Sequence, residues 1–334
     1  METAQDVVAR MGEFLPAATD EFEARVRDFD VESLSRVLRE LRLSSDDASE
    51  VAHHWDEFRR HEEWTSLLAA LLGMVEVQRG AIDEPLPIWP DLDGAGPSGR
   101  LLYIYLFALG YEGTRTFHEK EATPQNVIDR TFEVLARHCA THQRKWGTLG
   151  VDAGWWMLPI LRGELLQVGS LQFHRVTLGV GSLSPYSWYE DEEAEKLGPG
   201  FRRGDPSIGL HIPRGSDIAP TTLDQTFGEA RDVLGHLWPV AQRRLVTCQS
   251  WLLDSRLITL LPSVSNVVHF QRRFTLLPRW YDDDDDVLDF VFERPATPIN
   301  ELPQSTTLER AIVATLQRGE HWRAGAGWMD FDGP

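Results

Sequence analysis

Apolar residues recur at helical spacing through the first quarter of the chain. Between residues 3 and 80 they fall three and four positions apart, with polar residues between them. One such face consists of Leu34, Val37, Leu38 and Leu41. Asp30 precedes this face and Ser44 or Ser45 precedes the next helical stretch, and these residue types cap helix N-termini. Amphipathic helices bury their apolar faces against one another, so the pattern predicts a helical bundle.

A second helical block is predicted from Arg100 to Trp146, after a loop rich in proline and glycine at residues 81–99. Thr123 is the predicted N-cap of one of its helices, with Pro124 at the first helical position. The most apolar stretch, RLLYIYLFALG, has about eleven residues, fewer than the roughly 18 that a membrane span requires. It therefore predicts a buried helix.

The pattern then becomes strand-like. Residues 155–161 and 164–176 are apolar runs separated by Arg162-Gly163, which predicts a β-hairpin. Gln172 and His174 lie two positions apart in the second run and therefore share one face of the strand. Two interpretations remain open: these side chains line a cleft, or they form an exposed polar face.

The pattern of residues 206–274 predicts a strand, a turn, a helix, a second strand and a second helix, in that order. The first strand leads into a turn at Arg214-Gly215-Ser216, and Thr221 and Thr222 are the predicted caps of the following helix. A second strand is predicted at residues 245–253. A right-handed crossover places the helix N-terminus beside the carboxyl end of the first strand, where unpaired N–H groups could receive a pyrophosphate. The alternative is an ordinary turn that ends a strand.

Further along, residues 276–281 and 287–292 predict two strands joined by an acidic turn, followed by a final helix at 307–318 and a glycine-rich tail. The chain as a whole predicts the α+β class. An N-terminal helical domain spans residues 1–125, and a mixed β-sheet flanked by helices occupies residues 126–334.

Composition excludes several classes of protein. The chain has 334 residues and a formal charge of −19, which argues against nucleic-acid binding because a polyanion would be repelled. Cys139 and Cys248 are too few for a disulfide framework and lack zinc-site spacing, so a cytoplasmic location is expected. No signal peptide or membrane span is apparent at the sequence level, and no membrane partner is expected.

One cluster of histidines has the spacing of a metal site. His53, Glu57 and His61 recur every four residues and share a helical face. However, the His-Glu-x-x-His motif is absent, and Glu50-x-x-His53 occurs once where a dimetal bundle needs two. The acidic run at residues 282–286 lacks the ligand spacing of an EF-hand loop. We therefore expect a solvated helix face and no metal site.

Several sequence segments resemble those of bacterial two-domain acyltransferases, in which a helical N-acyltransferase domain precedes a domain similar to the GNAT superfamily. These segments are LLQVGSLQFHR at 165–175, GLHIPRG at 209–215, SWLLD at 250–254, SNVVHFQRRF at 265–274 and TTLERAIVATLQRG at 306–319. The resemblance covers most of the chain from Val127 onward. It implies transfer of an acyl group from a thioester, with acyl-CoA as co-substrate, to a small-molecule amine by direct attack, without another cofactor.

The resemblance also implies roles for particular residues. His211 is the implied base, since an imidazole of ordinary pKa accepts a proton near neutrality. His269 lies five residues before Phe274, where the family places its acid, although a shift of one residue would substitute Phe270. The implied donor-binding residues are Ile212, Arg214, Gly215, Ser216, Thr221, Thr222 and Asn266. The implied acceptor-binding residues are Gln172, His174, Ser250 and Trp251.

The sequence departs from the family at one point, because PRGSDIAPTT replaces the usual Arg/Gln-x-x-Gly-x-Gly/Ala phosphate loop. Two alternatives follow. The donor could be an acyl carrier protein that binds to a surface patch including Arg202, Arg203 and Arg214. Alternatively, the chain could be a binding protein that has the same fold but no catalytic activity. His211 and His269 also have a structural interpretation, as hydrogen-bonded or partly exposed histidines.

Overall fold

The computed structural model describes residues 6, 9, 18–81, 92–179, 188–239, 245–293 and 297–331. Two compact units, Met1–Leu166 and Gln167–Pro334, divide the chain. This division lies later than the boundary predicted after residue 125. The reason is that Ile128, Phe132 and Leu161 all belong to the hydrophobic core that the preceding helices form.

Up to Glu164, the described residues of the first unit form helices, turns and loops. Its helices are α1 (Asp20–Asp28), α2 (Val31–Glu40), α3 (Ser45–Phe58), α4 (Glu62–Val77), α5 (Gly96–Lys120), α6 (Gln125–Phe132), α7 (Val134–Trp146) and α8 (Met157–Leu161). Short 3-10 turns at Asp93–Ala95 and Gly154–Trp156 precede α5 and α8. The part of the predicted helical stretch before residue 18 lies largely outside the described residues.

Local capping explains where two of these helices begin. The Asp30 carboxylate accepts a hydrogen bond from the Ser33 N–H at 2.7 Å, and the Ser44 hydroxyl accepts one from Asp47 at 3.1 Å. Both caps satisfy N–H groups that have no acceptor within the helix, as predicted. The predicted cap of α6 is wrong by one residue, because Pro124 is itself the N-cap, with the extended ψ of 137°.

Helix α5 supplies the centre of this core. Every residue from Leu101 to Tyr111 is buried, which confirms that the apolar stretch forms a buried helix. None of the helices that the structure describes has the length and apolar character to cross a bilayer. Tyr105 packs against Trp55 and Phe58 with ring centroids 4.6 and 4.7 Å apart, so aromatic contacts join α3 to α5.

The second unit holds a six-stranded sheet in the order β1-β2-β3-β4-β6-β5. The strands are β1 (Leu165–Val168), β2 (Leu171–Thr177), β3 (Pro206–His211), β4 (Leu245–Ser250), β5 (Thr275–Asp282) and β6 (Arg323–Asp330), with β1 straddling the division between the units. The helices are α9 (Asp191–Leu197), α10 (Pro220–Leu237), α11 (Leu257–Leu260), α12 (Asn266–Gln271), α13 (Asp284–Phe292) and α14 (Thr307–Gln317). The predicted α+β class, with a mixed sheet flanked by helices, is confirmed.

Strand pairing confirms the predicted crossover. β3 and β4 are parallel and α10 connects them, whereas β2–β3, β4–β6 and β5–β6 are antiparallel. Phe173 of β2 faces α10 and lies 6.1 Å from the ring of Phe227. β4 ends at Ser250, earlier than predicted, because the chain turns into a 3-10 helix at Trp251–Leu253.

The predicted hairpin is wrong in its first half. Residues 157–161 form α8, and all five are buried. Such a short apolar run without polar alternation does not distinguish a strand from a buried helix. The hairpin lies between β1 and β2 instead. Its turn contains Gly169 with φ of 55°, and a Cβ there would come within 2.3 Å of the Thr226 hydroxyl.

Two predictions for the C-terminal part are also wrong. Residues 287–292 belong to a helix, α13, whose N-cap Asp283 accepts a hydrogen bond from Asp286 N–H at 3.2 Å. Carboxylates in a first turn interact favourably with the helix dipole, so the acidic run begins a helix. The glycine-rich tail is strand β6. A Cβ on Gly325 would lie 2.4 Å from the Leu253 carbonyl oxygen, a separation that only glycine permits.

Candidate functional site

Strands β3 and β4 separate partway along their length. Their ladder pairs Ile208 with Val246 and Gly209 with Thr247. β3 continues to His211 and β4 to Ser250, and the described residues beyond Gly209 and Thr247 take no part in this ladder. By contrast, β2 pairs with β3 over the whole strand, as far as Gln172 and His211. The β3–β4 ladder therefore ends before the carboxyl ends of the two parallel strands, and we call this end of the sheet the opening.

Three predicted site residues lie together on one face of this opening. Gln172 is the direct cross-strand partner of His211, and His174 lies opposite Gly209. Directly paired residues share a face of the sheet. The His174 and His211 rings are 5.6 Å apart, and Gln172 and His174 are buried. Sequence reasoning left a buried cleft and an exposed polar face open, and the burial rules out the exposed face.

The protein lowers the proton affinity of His211. Burial, followed by the neighbouring His174, holds the pKa of the His211 imidazole well below its usual value of 6.5. Burial has this effect because a charged imidazolium loses hydration away from water. At neutral pH the ring is therefore uncharged and carries a lone pair that can accept a proton.

Polar residues that sequence reasoning did not identify continue this face across the sheet. The Thr247 and Ser207 hydroxyls are 3.2 Å apart, and the Gln249 amide donates a hydrogen bond to the Tyr281 hydroxyl at 2.8 Å. Burial, followed by Asp283, raises the pKa of Tyr281. The alternation of Thr247 and Gln249 with apolar residues in β4 is the sequence signal that could have identified them.

The turn after β3 and the start of α10 form the other part of the site. Gly215 has φ of 74°, and the Ser216 hydroxyl donates to the Ser170 carbonyl oxygen at 2.8 Å. The predicted caps are wrong: Ala219 is the N-cap, and α10 begins at Pro220. Thr222 instead donates to Asp217 at 2.6 Å. This bond, and a second from the Ala219 N–H, lower the pKa of Asp217.

Arg214 interacts with α13. Its guanidinium donates to the Asp289 and Phe290 carbonyl oxygens at 2.6 and 2.9 Å and forms an ion pair with the Asp289 carboxylate at 2.7 Å. Its side chain is only 14% exposed. In the same way Arg202 forms an ion pair with Glu195, and Arg203 with Glu190. All three residues of the predicted carrier-protein patch therefore have carboxylate partners.

The structure favours His269 over Phe270 as a solvent-accessible group. Phe270 is fully buried and packs against Phe274 at 5.2 Å, whereas His269 is half-buried on α12. The Ser265 hydroxyl caps α12 by accepting from Val268 N–H at 3.2 Å, and Asn266 is exposed in the first turn. An acid role for His269 stays a prediction.

The remaining predicted residues follow the ends of the two parallel strands. Ile212 is half-buried directly after β3. The Ser250 hydroxyl accepts a hydrogen bond from Leu252 N–H at 3.1 Å and so caps the 3-10 turn after β4. Trp251 is half-buried and packs against the apolar cluster around Leu257. Their roles in binding an acceptor stay predictions.

Neither cysteine has the properties of a nucleophile. Both are buried, and burial raises the pKa of Cys248 to about 12 and also raises that of Cys139. Among the described residues, no three His, Cys, Asp or Glu side chains converge in a way that could hold a metal ion. His53, Glu57 and His61 are exposed on α3 and just after it.

Family comparisons match both halves of the chain. The N-acyltransferase N-terminal domain matches residues 32–163, and the GNAT-like C-terminal domain matches residues 165–329. A helical unit followed by a mixed six-stranded sheet with flanking helices agrees with these two matches. The chain belongs to this family and is an enzyme of the GNAT-like N-acyltransferase class. No curated protein sequence matches it.

Solved structures extend the similarity over nearly the whole chain. An acyltransferase in complex with decanoyl-CoA is 25% identical with a TM-score of 0.77, over 98% of this chain and 99% of that one. An acyltransferase in complex with decanoyl-CoA and teicoplanin is 27% identical with a TM-score of 0.78 and the same coverage. An acyltransferase in complex with CoA and 10C-teicoplanin is 25% identical, with a TM-score of 0.75.

Proposed function

We propose that this enzyme transfers an acyl group from acyl-CoA to an amine by direct attack in a ternary complex. The observation that carries the proposal is the separation of β3 from β4 beyond Gly209 and Thr247, with His211 at the open end. An extended pantetheine arm fits between separating strands because its amides can pair with backbone N–H and C=O groups along the facing strand edges. The similar acyltransferases solved with decanoyl-CoA support this donor.

The proposed reaction needs one base and one acid. The amine nitrogen attacks the thioester carbonyl carbon, and His211 takes the proton that the nitrogen loses. The carbon–sulfur bond then breaks, and the departing thiolate takes a proton from His269 or from water. His211 is neutral at pH 7, as a base must be, and its lowered pKa makes it a weaker base than the imidazole of ordinary pKa that the sequence implied.

Direct attack is preferred over an acyl-enzyme. The only cysteine of the opening strands, Cys248, is buried, and its raised pKa leaves almost no thiolate at neutral pH. A covalent route needs an activated nucleophile beside a base. The buried Cys248 thiol does not meet this requirement.

We propose that the cluster of Gln172, His174 and His211 binds the acceptor amine. These side chains can orient an amine by hydrogen bonds to its neighbouring polar groups. The similarity to an acyltransferase solved with teicoplanin makes a polar amine of comparable size the first acceptor to test. A small-molecule amine remains the acceptor class, and the cytoplasmic location stays a prediction from the cysteine content.

The test is a kinetic assay with decanoyl-CoA and a panel of amines that includes glycopeptides. CoA release and the mass of the acylated product are followed together. Direct attack predicts that both substrates must be present before CoA is released, and that Cys248→Ala retains turnover. Stoichiometric CoA release without an amine, with acylated protein in the mass spectrum, would contradict direct attack.

Two further outcomes of this assay would support the two alternative functions, a carrier-protein-dependent acyltransferase and a non-catalytic binding protein. Turnover with an acylated carrier protein and none with acyl-CoA would favour the carrier-protein alternative. Binding of acyl-CoA without turnover across the panel would favour a non-catalytic binding protein.

A further inference from the structure

The start of α10 offers few backbone N–H groups to a coenzyme A phosphate. Pro213 and Pro220 have no N–H groups to donate, and the Asp217 carboxylate already accepts from the Ala219 N–H at 2.9 Å. The whole chain carries a formal charge of −19. A phosphate bound here therefore needs a cationic side chain as well as backbone N–H groups.

Arg273 reaches this place from a distant part of the sequence. Its guanidinium Nη2 donates to the Pro220 carbonyl oxygen at 3.3 Å and to the Asp224 carboxylate at 2.7 Å. The guanidinium carbon also lies 5.8 Å from the Phe227 ring centroid. These contacts hold the charge beside the first turn of α10, while 24% of the side chain stays exposed.

We propose that Arg273 binds a phosphate group of the coenzyme A donor. The proposal rests on the proposed function, because it concerns the donor of that same reaction. Arginine suits the role since its planar guanidinium can donate two parallel hydrogen bonds to phosphate oxygens. The N-terminal dipole of α10, an 18-residue helix, adds favourable potential at the same place.

The ion pair with Asp224 does not prevent this binding. The Asp224 side chain is 68% exposed, and exposed ion pairs contribute little because water and salt screen them. The pyrophosphate as a whole and the 3′-phosphate each carry more charge and more acceptor atoms than one carboxylate. Either group can therefore displace Asp224 from the guanidinium, or share it.

Two other arginines, Arg214 and Arg272, make different contacts from Arg273. The Arg214 guanidinium is held by α13 through Asp289 and Phe290. Arg272 directs its guanidinium to the Ser263 carbonyl oxygen at 3.4 Å and is exposed. Because Arg272 has the same charge and adjoins Arg273 in sequence, it is a matched control.

The experiment measures donor affinity by calorimetry for the wild type, Arg273→Gln and Arg272→Gln. CoA, dephospho-CoA and 4′-phosphopantetheine are the three probes. We expect Arg273→Gln to weaken CoA binding about tenfold or more, as loss of a charged hydrogen bond does. Arg272→Gln should change it less than about threefold, because only long-range screened charge is lost.

The analogues identify the phosphate concerned. If Arg273 binds the 3′-phosphate, dephospho-CoA should bind the wild type as weakly as CoA binds the Arg273→Gln protein. The substitution should then cause no further loss of affinity for dephospho-CoA. If Arg273 binds the pyrophosphate, the substitution weakens both nucleotides. Equal CoA affinity of the Arg273→Gln and Arg272→Gln proteins would overturn the proposal. Failure of the wild type to bind any probe would instead overturn the donor in the proposed function.

A second variant separates binding from folding. Asp224→Asn removes the carboxylate partner while retaining Arg273, and we expect CoA to bind about two- to fivefold more tightly because a competing acceptor is lost. In the Arg273→Gln background the same change should have a smaller effect. Equal effects in both backgrounds would show that Asp224 acts only through its long-range charge, against the proposal.

Discussion

His118 and His211 are two histidines whose imidazole pKa the protein lowers, in surroundings of different kinds. His118 is 2% exposed among the helices of the first unit, and burial, followed by the positive charge of Arg79, lowers its pKa to about 4. His211 is half-buried at the end of β3, where the sheet opens. The lowered pKa of His118, in a closed interior, affects stability, whereas His211 lies where the proposed reaction would use a neutral imidazole.

The two ladders that flank β4 show the same contrast. β4 pairs with β6 along its whole length, from Leu245 to Ser250, and Gly325 lets the chains approach closely. β4 pairs with β3 at two positions only. Parallel strands ending beside a helix N-terminus are a common location for ligands in open sheets. The sheet is closed on one side of β4 and open on the other.

The strongest test of the comparison is His211→Gln. We expect turnover to fall about 100-fold to 10,000-fold, because general-base catalysis contributes about that much. The exposed His236→Gln on α10 is the matched control and should retain activity. Unfolding midpoints should be similar in both variants. Unchanged turnover in His211→Gln would place the base elsewhere.

His118 should instead affect stability as a function of pH. Its pKa is about 4 in the native state and about 6.5 when unfolded, so below pH 6.5 the unfolded chain takes up a proton that the native protein does not. Stability therefore falls as pH falls. Urea unfolding should show that His118→Gln loses about 2 kcal/mol less than the wild type between pH 7 and pH 5.

The exposed His61→Gln is the control for this measurement, and it should leave the pH dependence as it is. Equal pH dependence of His118→Gln and the wild type would mean that His118 titrates normally in the native state. The contrast between the two histidines would then fail.

The closed side of β4 is tested by Gly325→Ala. The new Cβ meets the Leu253 backbone oxygen at 2.4 Å, so backbone must move, and we expect a loss of about 1–3 kcal/mol of stability. Gly228→Ala in α10 is the control: its Cβ enters open space, and it should stabilise by up to about 1 kcal/mol. Denaturant unfolding measures both, and equal stability of the two variants would contradict the close approach.

The smallest effect is expected for Tyr281→Phe. It removes the hydroxyl that accepts from Gln249 on the open face, and we expect turnover to change by no more than about tenfold. Tyr189→Phe removes a similar hydroxyl, which accepts from the Trp328 indole at 3.2 Å, and should leave turnover unchanged. A larger loss in Tyr189→Phe than in Tyr281→Phe would show that the catalytic face extends toward Trp328.

Sequence alone determined the features that depend on near neighbours. The caps at Asp30 and Ser44, the buried α5 and the strand–turn–helix–strand order around α10 follow from residue spacing and capping chemistry. Each arises because the interacting groups lie within a few residues, so local pattern and local energy agree. The polar alternation of Gln172 and His174 was visible for the same reason.

Only the tertiary structure decided which distant groups meet. The placement of Gln172 opposite His211, the limited pairing of β3 with β4 and the reach of Arg273 to α10 depend on strand register and packing. The glycine-rich tail forms β6 between β4 and β5, where the narrow space beside Leu253 excludes a side chain at Gly325. No local pattern carries such information, since a strand's partner is fixed by the sum of contacts across the whole sheet.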